Sequence, residues 1–156
     1  MKCLIVVDMQ KGFMYGENYQ NLSKKIDDML DKSNYEKVFY TKFVNLPNSL
    51  YITKLKWNKL LTKEEQELCV KVVDNSKIFT KYGYGLEKND LLYFEELKKN
   101  NDLESIDICG LQTDACVYAI AFQMFDLDIY PNILLDYCET NEKIKSAIKD
   151  ILARQF

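Results

Sequence analysis

The hydrophobic residues of this chain occur in short continuous runs that alternate with stretches of helical periodicity. A run near Ile129–Leu135 predicts a strand that carries Pro131 at its start or on an exposed edge. Four other runs are rich in β-branched or aromatic residues and predict buried strands: Lys2–Asp8, Lys37–Val44, Ser76–Lys81 and Ser105–Gly110. Apolar strands that alternate with helices are typical of a parallel sheet covered on both faces.

Amphipathic helices are predicted between these strands. Thr62 and Glu65 form a capping box that predicts a short helix running towards Cys69, and further helices are predicted from about Asp90 to Lys99 and from Thr113 or Asp114. Three apolar stripes have the helical period: Leu22, Ile26, Met29 and Leu30; Val117, Ile120, Ala121 and Met124; Ile144, Ala147, Ile148, Ile151 and Leu152. The pattern predicts a doubly wound, Rossmann-like α/β fold of three layers with a parallel sheet of five strands, and five to six strands are expected once the resemblance described below, which implies a sixth, is included.

Composition supports one domain over residues 1–156, because 47% hydrophobic residues in 18.4 kDa can bury a sizeable core and no linker or repeat interrupts the pattern. A net charge of −3 without a basic stripe argues against nucleic acid as a partner. The first apolar run is interrupted by Asp8, and no stretch reaches the roughly 20 apolar residues that span a bilayer. We therefore expect a cytoplasmic protein without membrane contact, and we interpret its 5 cysteines, which include no CxxC pair, as free thiols.

The sequence contains no histidine, which excludes Ser-His-Asp, Cys-His and histidine-ligated metal chemistry for the chain alone. Ligands of doubly wound sheets bind outside the carboxyl ends of the strands. Asp8 ends the first predicted strand, Lys81 ends the third, and Cys116 lies just after the fourth. These three groups are therefore expected to converge at one edge of the sheet.

Cys116 is the candidate nucleophile, because with Thr113 as N-cap it would occupy the third helical position, where the helix dipole favours a thiolate. Lys81 nearby would lower the pKa of the thiol further. Structural roles remain open for each residue: Cys116 as a small buried side chain, Asp8 as a turn cap, and Lys81 as a surface lysine with a buried stem.

Three segments resemble the isochorismatase-like cysteine hydrolases, a family that includes nicotinamidases and related amidases. Leu4–Phe13 (LIVVDMQKGF) resembles the family's strand followed by Asp-x-Gln, and Phe79–Gly85 (FTKYGYG) resembles its lysine segment. Cys109–Val117 (CGLQTDACV) is similar to its Gly-x-x-Thr-Asp-x-Cys-Val nucleophile motif. The resemblance covers most of the chain in the family's order.

The resemblance implies an Asp8-Lys81-Cys116 triad that hydrolyses a C–N bond of a small amide or carbamoyl compound through a thioester. It also implies a cis peptide bond between Leu111 and Gln112, an oxyanion hole formed by the N–H groups of Gln112 and Cys116, and a homodimer or larger oligomer. Nicotinamidases bind a metal through an Asp-x-His segment and a further histidine, which Tyr40–Tyr51 lacks, so no metal or other cofactor is expected.

Aromatic residues after the strands are candidates for a substrate pocket: Phe13, Tyr15, Trp57, Tyr82 and Tyr84. The GYGLEKND stretch departs from the family's usual continuation after the lysine, and little chain follows the last helix to form a sixth strand. Alternative functions are vinyl-ether hydrolysis of the isochorismatase type and a ligand-binding or interaction role that keeps the fold without turnover. A nucleotide-binding protein is disfavoured, because MQKGFMYG lacks the GxGxxG spacing.

Overall fold

The computed structural model describes residues 1–101 and 103–156, which form a single parallel sheet with helices around it. The sheet order is β3-β2-β1-β4-β5. The strands are β1 (Cys3–Val7), β2 (Lys37–Phe43), β3 (Ser76–Lys81), β4 (Ser105–Leu111) and β5 (Tyr130–Glu139). The predicted doubly wound α/β fold is confirmed, and within the described residues the sheet has five strands, the lower of the two numbers expected.

The helices connect the strands in the predicted alternation. The crossover from β1 to β2 and the crossover from β4 to β5 run in opposite directions across the sheet, so right-handed connections put their helices on opposite faces. A 3-10 turn covers Lys11–Phe13 and a π-helical turn covers Thr113–Val117. The α-helices are α1 (Glu17–Lys32), α2 (Leu50–Thr53), α3 (Lys63–Gln66), α4 (Lys88–Asn101), α5 (Tyr118–Asp126) and α6 (Glu142–Gln155).

The core lies between the sheet and these helices, at the positions that the periodicity indicated. Every residue of β1 is buried, as expected for the central strand of a covered parallel sheet. The inward stripes of the longer helices are buried too: Leu22, Ile26 and Leu30 of α1, Ile120, Ala121 and Met124 of α5, and Ile148 and Leu152 of α6. No helix in the described part of the chain is long and apolar enough to cross a bilayer.

Two element boundaries and the burial of one helix differ from the sequence prediction. The capping box of Thr62 and Glu65 is present, but α3 ends at Gln66 and does not run towards Cys69, because the next residues bend back and Leu68 pairs with Gln10 in an isolated antiparallel bridge. β5 continues to Glu139, past a register shift opposite Ile108–Gly110. In α6 the predicted stripe is only partly buried, since Ile144 and Ile151 are exposed.

The carboxyl ends of β1 and β4 approach each other closely, and a glycine makes this approach possible. Gly110 of β4 has φ +116°, and a Cβ atom there would lie 2.2 Å from the carbonyl oxygen of Val7. Backbone at that distance cannot yield, so only glycine fits. Asp8, the residue directly after Val7, has φ 48°, an uncommon conformation for a non-glycine residue.

Candidate active site

The three residues predicted from the strand ends meet in one cluster at the carboxyl edge of the sheet. Asp8 and Lys81 are fully buried, and Lys81 Nζ lies 2.8 Å from Asp8 Oδ2. The same ammonium group donates to Cys116 Sγ at 3.3 Å and to the carbonyl oxygen of Gly83 at 2.9 Å. Lys81 thus bridges the carboxylate and the sulfur, and Cys116 is the member that reaches an open cavity.

The two oxygens of the Asp8 carboxylate have different surroundings. Oδ1 accepts a hydrogen bond from Thr41 Oγ1 at 2.6 Å, and Thr41 Oγ1 accepts one from the Asp8 backbone N–H at 3.1 Å. Oδ2 lies 2.8 Å from Lys81 Nζ in an ion pair. Because a carboxylate oxygen has two lone pairs, Oδ2 can still accept a proton beside this contact. Thr41 was missed by the sequence reasoning, although a threonine buried in an apolar strand is the signal that could have found it.

Electrostatics hold Cys116 as a thiol in the resting site. Burial raises the pKa of Cys116, the negative charge of Asp8 raises it further, and the positive charge of Lys81 offsets only part of this. Burial opposes the charged form of Lys81, but Asp8 and Cys116 outweigh it and raise the pKa of Lys81. Lys81 lowers the pKa of Cys116, as expected, but burial and the charge of Asp8 outweigh this contribution, so the net shift is upward.

The nucleophile lies on a π-helical turn between β4 and α5. The N–H of Val117 donates to the carbonyl oxygen of Gln112 at 3.2 Å, so the turn begins directly after Gln112, and Gln112 is the N-cap instead of the predicted Thr113. Cys116 is accordingly the fourth residue of the turn. The peptide bond between Leu111 and Gln112 is cis, at the position that the resemblance implied.

A second contact fixes the far side of this turn. Asp114 accepts a hydrogen bond from the hydroxyl of Thr140, which follows β5 directly. The side chain of Asp114 is therefore engaged by the neighbouring loop and supports the turn from outside the cavity.

The cavity in front of Cys116 has a volume of about 310 Å³ and mostly aromatic walls. Of the five aromatic residues predicted for it, Phe13, Tyr15, Trp57 and Tyr84 line it. Tyr82 does not: its ring is exposed, and its backbone N–H donates to Glu87 Oε1 at 3.1 Å, which turns this part of the chain away. Sequence reasoning missed four of the other lining residues: Phe43, Tyr51, Leu55 and Ala115.

Gln10 holds the wall that Phe43 contributes. Its side-chain amide donates to the carbonyl oxygens of Phe43 and Gln66 at 2.9 and 3.0 Å and accepts from the N–H of Phe43 at 2.9 Å. Gln10 is fully buried, does not line the cavity and ties the first loop to the end of β2. Gln10 therefore acts as a structural residue.

The donor atoms near the cavity do not fit a metal ion. In the segment after β2, Asn45 uses its amide nitrogen for the carbonyl oxygens of Trp57 and Lys59, and its oxygen accepts from Ser49. No group of three or more histidine, cysteine, aspartate or glutamate residues within the described parts of the chain could hold a metal. We derive no catalytic step through a metal.

Comparison with known proteins gives matches over nearly the whole chain. The family model described as the isochorismatase domain matches residues 2–147. Isochorismatase domain-containing protein 2 of Xenopus laevis is 24% identical over 124 residues, which are 75% of this chain but 60% of the relative, so the chain spans well under two thirds of that protein.

Two solved structures show the same fold at low sequence identity. The pyrazinamidase of Pyrococcus horikoshii, solved in complex with zinc, is 18% identical with a TM-score of 0.78, over 98% of this chain and 94% of that one. N-carbamoylsarcosine amidase of Thermoplasma acidophilum is 18% identical with a TM-score of 0.74, over 99% and 92%.

Proposed function

Because the chain belongs to the isochorismatase family, we propose that it is a cysteine-dependent hydrolase that cleaves the C–N bond of a small amide or carbamoyl compound. The observation that carries this proposal is the contact of one buried lysine with both a carboxylate and a cysteine sulfur, at 2.8 and 3.3 Å, at the base of an open cavity. A nucleophile, a base and a fixed positive charge within contact distance are the requirements of nucleophilic acyl transfer.

The proposed reaction begins with Cys116 as a neutral thiol. As Sγ attacks the carbonyl carbon of the substrate, its proton passes to Asp8, whose Oδ2 can accept it beside the contact with Lys81. Lys81 remains protonated and stabilises the sulfur while it carries negative charge. The oxyanion that forms is assigned to the backbone N–H groups of Gln112 and Cys116, each worth about 3 to 4 kcal/mol of transition-state stabilisation.

The tetrahedral intermediate then collapses and the C–N bond breaks. Asp8 gives its proton to the departing nitrogen, which leaves as ammonia or an amine, and a thioester remains on Cys116. Asp8, again a carboxylate, takes a proton from water as the water oxygen attacks the thioester carbon. Collapse of the second intermediate releases the carboxylic acid and returns the thiol.

The test is ammonia release from a panel of small amides and carbamoyl compounds, with Cys116→Ala and Cys69→Ala as a matched pair. Cys69 is also half-buried, but it lies outside the cavity. We expect Cys116→Ala to lose at least about a thousandfold in kcat, because the covalent route is gone, while Cys69→Ala retains turnover. Turnover that survives in Cys116→Ala overturns the proposal.

The same two variants separate the alternatives when they are also assayed with a vinyl-ether substrate and for ligand binding. Vinyl-ether hydrolysis does not need the thiol, so that activity would persist in Cys116→Ala, and a binding protein would take up ligand without turnover in either variant. We further propose a cytoplasmic location, supported by five cysteines without a disulfide in the described chain, and a homodimer or larger oligomer, which light scattering tests.

A further inference from the structure

Among the residues that the structure describes, none that lines the cavity carries a charge. All residues found to line it are apolar, aromatic or, in the case of Gln112, an amide, apart from the thiol of Cys116 itself. The nearest cation, Lys81, is fully buried and already contacts Asp8, Gly83 and Cys116. A substrate that brought a carboxylate into this space would lose its hydration without gaining a counter-ion.

Tyr51 is the half-buried phenol of these walls. Its ring packs edge-to-face on Phe43 at 4.9 Å and on Tyr84 at 5.2 Å, and its carbonyl oxygen accepts from the Trp57 N–H at 2.8 Å. Ring and backbone are therefore fixed. The hydroxyl, in contrast, makes no hydrogen bond within residues 1–101 and 103–156 and is accessible to solvent, so it can donate to a ligand.

Several groups keep this hydroxyl in its donating form. Burial raises the pKa of Tyr51, and the proximity of Cys116, Tyr84 and Asp8 raises it further. The phenol therefore stays neutral at any physiological pH. Tyr51 and Cys116 line the same cavity of about 310 Å³, so a small substrate attacked by Cys116 also meets the Tyr51 side chain.

Resting on the proposed hydrolase function, we propose that Tyr51 determines specificity: its hydroxyl donates a hydrogen bond to an acceptor on the acyl group of an uncharged amide. The aromatic walls, with Phe13 and Trp57 stacked at a centroid distance of 5.8 Å, hold the flat apolar remainder of that group. Two features then select the substrate: the apolar walls disfavour a charged group, and the Tyr51 hydroxyl favours a group that accepts a hydrogen bond.

Isosteric probes test this directly. Benzamide and the three pyridinecarboxamides have nearly the same shape, but each pyridine isomer puts one acceptor nitrogen at a different ring position, and 4-carbamoylbenzoate adds a carboxylate. We expect Tyr51→Phe to lower the ratio of kcat/KM for the best pyridine isomer to that for benzamide by about 3- to 10-fold, the worth of one hydrogen bond. We also expect 4-carbamoylbenzoate to be at least about tenfold poorer than benzamide in the wild type.

The control is Tyr82→Phe, which removes a phenol hydroxyl outside the cavity and should leave these ratios unchanged. A merely structural role for Tyr51 would weaken all probes alike in Tyr51→Phe. That uniform loss, an absence of any loss, or a preference for 4-carbamoylbenzoate each overturns the proposal.

A binding measurement distinguishes a failure of the Tyr51 specificity proposal from a failure of the hydrolase proposal. Trp57 is the only tryptophan of the chain and lies in the cavity wall, so its fluorescence reports occupancy without turnover. Titration of Cys116→Ala and of Cys116→Ala/Tyr51→Phe with the same probes should give the same 3- to 10-fold change in the ratio of Kd values. If this change is seen without hydrolysis in the wild type, only the hydrolase function fails. If the Kd ratio is unchanged or no probe binds, the specificity proposal fails.

Discussion

Asp8→Asn removes the negative charge from the buried cluster and changes little else. An asparagine oxygen can still accept the hydrogen bond that Thr41 Oγ1 donates at 2.6 Å. Lys81 keeps its place but loses the carboxylate 2.8 Å from its ammonium group, with both side chains fully buried. The variant therefore isolates the effect of an uncompensated buried charge.

The expected loss of stability is large. At an effective dielectric constant of about 20, two unit charges at this separation attract each other by about 6 kcal/mol, and measured losses on breaking buried pairs are about 3 to 5 kcal/mol. For a domain of this size, each kcal/mol corresponds to roughly 3 to 4 °C in Tm. We expect Asp8→Asn to lower Tm by about 10 to 20 °C and to abolish turnover, because the proton acceptor is lost as well.

Urea unfolding followed by circular dichroism measures this, with Lys81→Met and the double variant Asp8→Asn/Lys81→Met completing a cycle. The double variant buries no unpaired charge, so we expect it to be more stable than Asp8→Asn alone while it remains inactive.

Raising the pH gives a second test. The raised pKa of Lys81 means that its stabilising contribution is present below its unfolded pKa, about 10.4, and is lost as the pH rises through its folded pKa. The stability difference between wild type and Asp8→Asn should therefore shrink at alkaline pH.

Two results would refute this reasoning. One is an unfolding free energy for Asp8→Asn within about 0.5 kcal/mol of the wild type, which would mean that water or another group solvates Lys81 at no cost. The other is a double variant whose loss equals the sum of the two single losses, because additivity means that the two side chains do not interact.

Three further predictions follow from the strand ends and the thiols. Gly110→Ala should cost at least about 4 kcal/mol of stability or prevent folding, since the new Cβ would lie 2.2 Å from the Val7 oxygen. Gly83→Ala, with open space around it, should change stability by less than about 1 kcal/mol. Equal losses of the two variants in urea unfolding would contradict this prediction. Iodoacetamide should alkylate Cys116 no faster than an ordinary thiol near neutral pH, because its pKa is raised, and fast labelling followed by mass spectrometry would show an activated thiolate. Burial raises the pKa of Cys138 to about 12, so its thiol ionises first in the unfolded state and the free energy of unfolding should fall as the pH rises above about 8.5. Cys138→Ala should make the dependence of this free energy on pH shallower by about 1.4 kcal/mol per pH unit, and an unchanged dependence would argue against the raised pKa.

The placement of the cluster could be predicted from sequence because it depends on the fold class alone. In a parallel sheet the carboxyl ends of all strands lie at one edge, so residues that end apolar strands, such as Asp8 and Lys81, are brought to that edge whatever the loops do. The number of strands and the buried stripes follow in the same way from periodicity. These features need only local patterns and the geometry of parallel strands.

The net pKa of Cys116 and most of the cavity wall could not be predicted in this way. The sign of the pKa shift depends on how burial and the charge of Asp8 compare with the charge of Lys81, and burial is a property of the packed structure. Phe43 and Tyr51 line the cavity because the chain after β2 folds back, with Gln10 holding Phe43 and Trp57 donating to Tyr51. No periodic pattern encodes contacts that depend on such loop conformations.

A nucleophile held as a thiol is compatible with catalysis because the proton shift leaves the charge of the cluster unchanged. Before the shift, Lys81 is paired with the Asp8 carboxylate at 2.8 Å; after it, Lys81 is paired with the Cys116 thiolate at 3.3 Å. At an effective dielectric constant of about 20, these pairs are worth about 6 and 5 kcal/mol, so the electrostatic difference between the two states is only about 1 kcal/mol. The free-energy cost of burying the lysine charge is the same in both states, because it is incurred when the protein folds. The proton shift still costs about 6 kcal/mol, because a thiol is intrinsically a weaker acid than a carboxyl group, so the thiolate forms only as Sγ attacks and no reactive thiolate is exposed at rest.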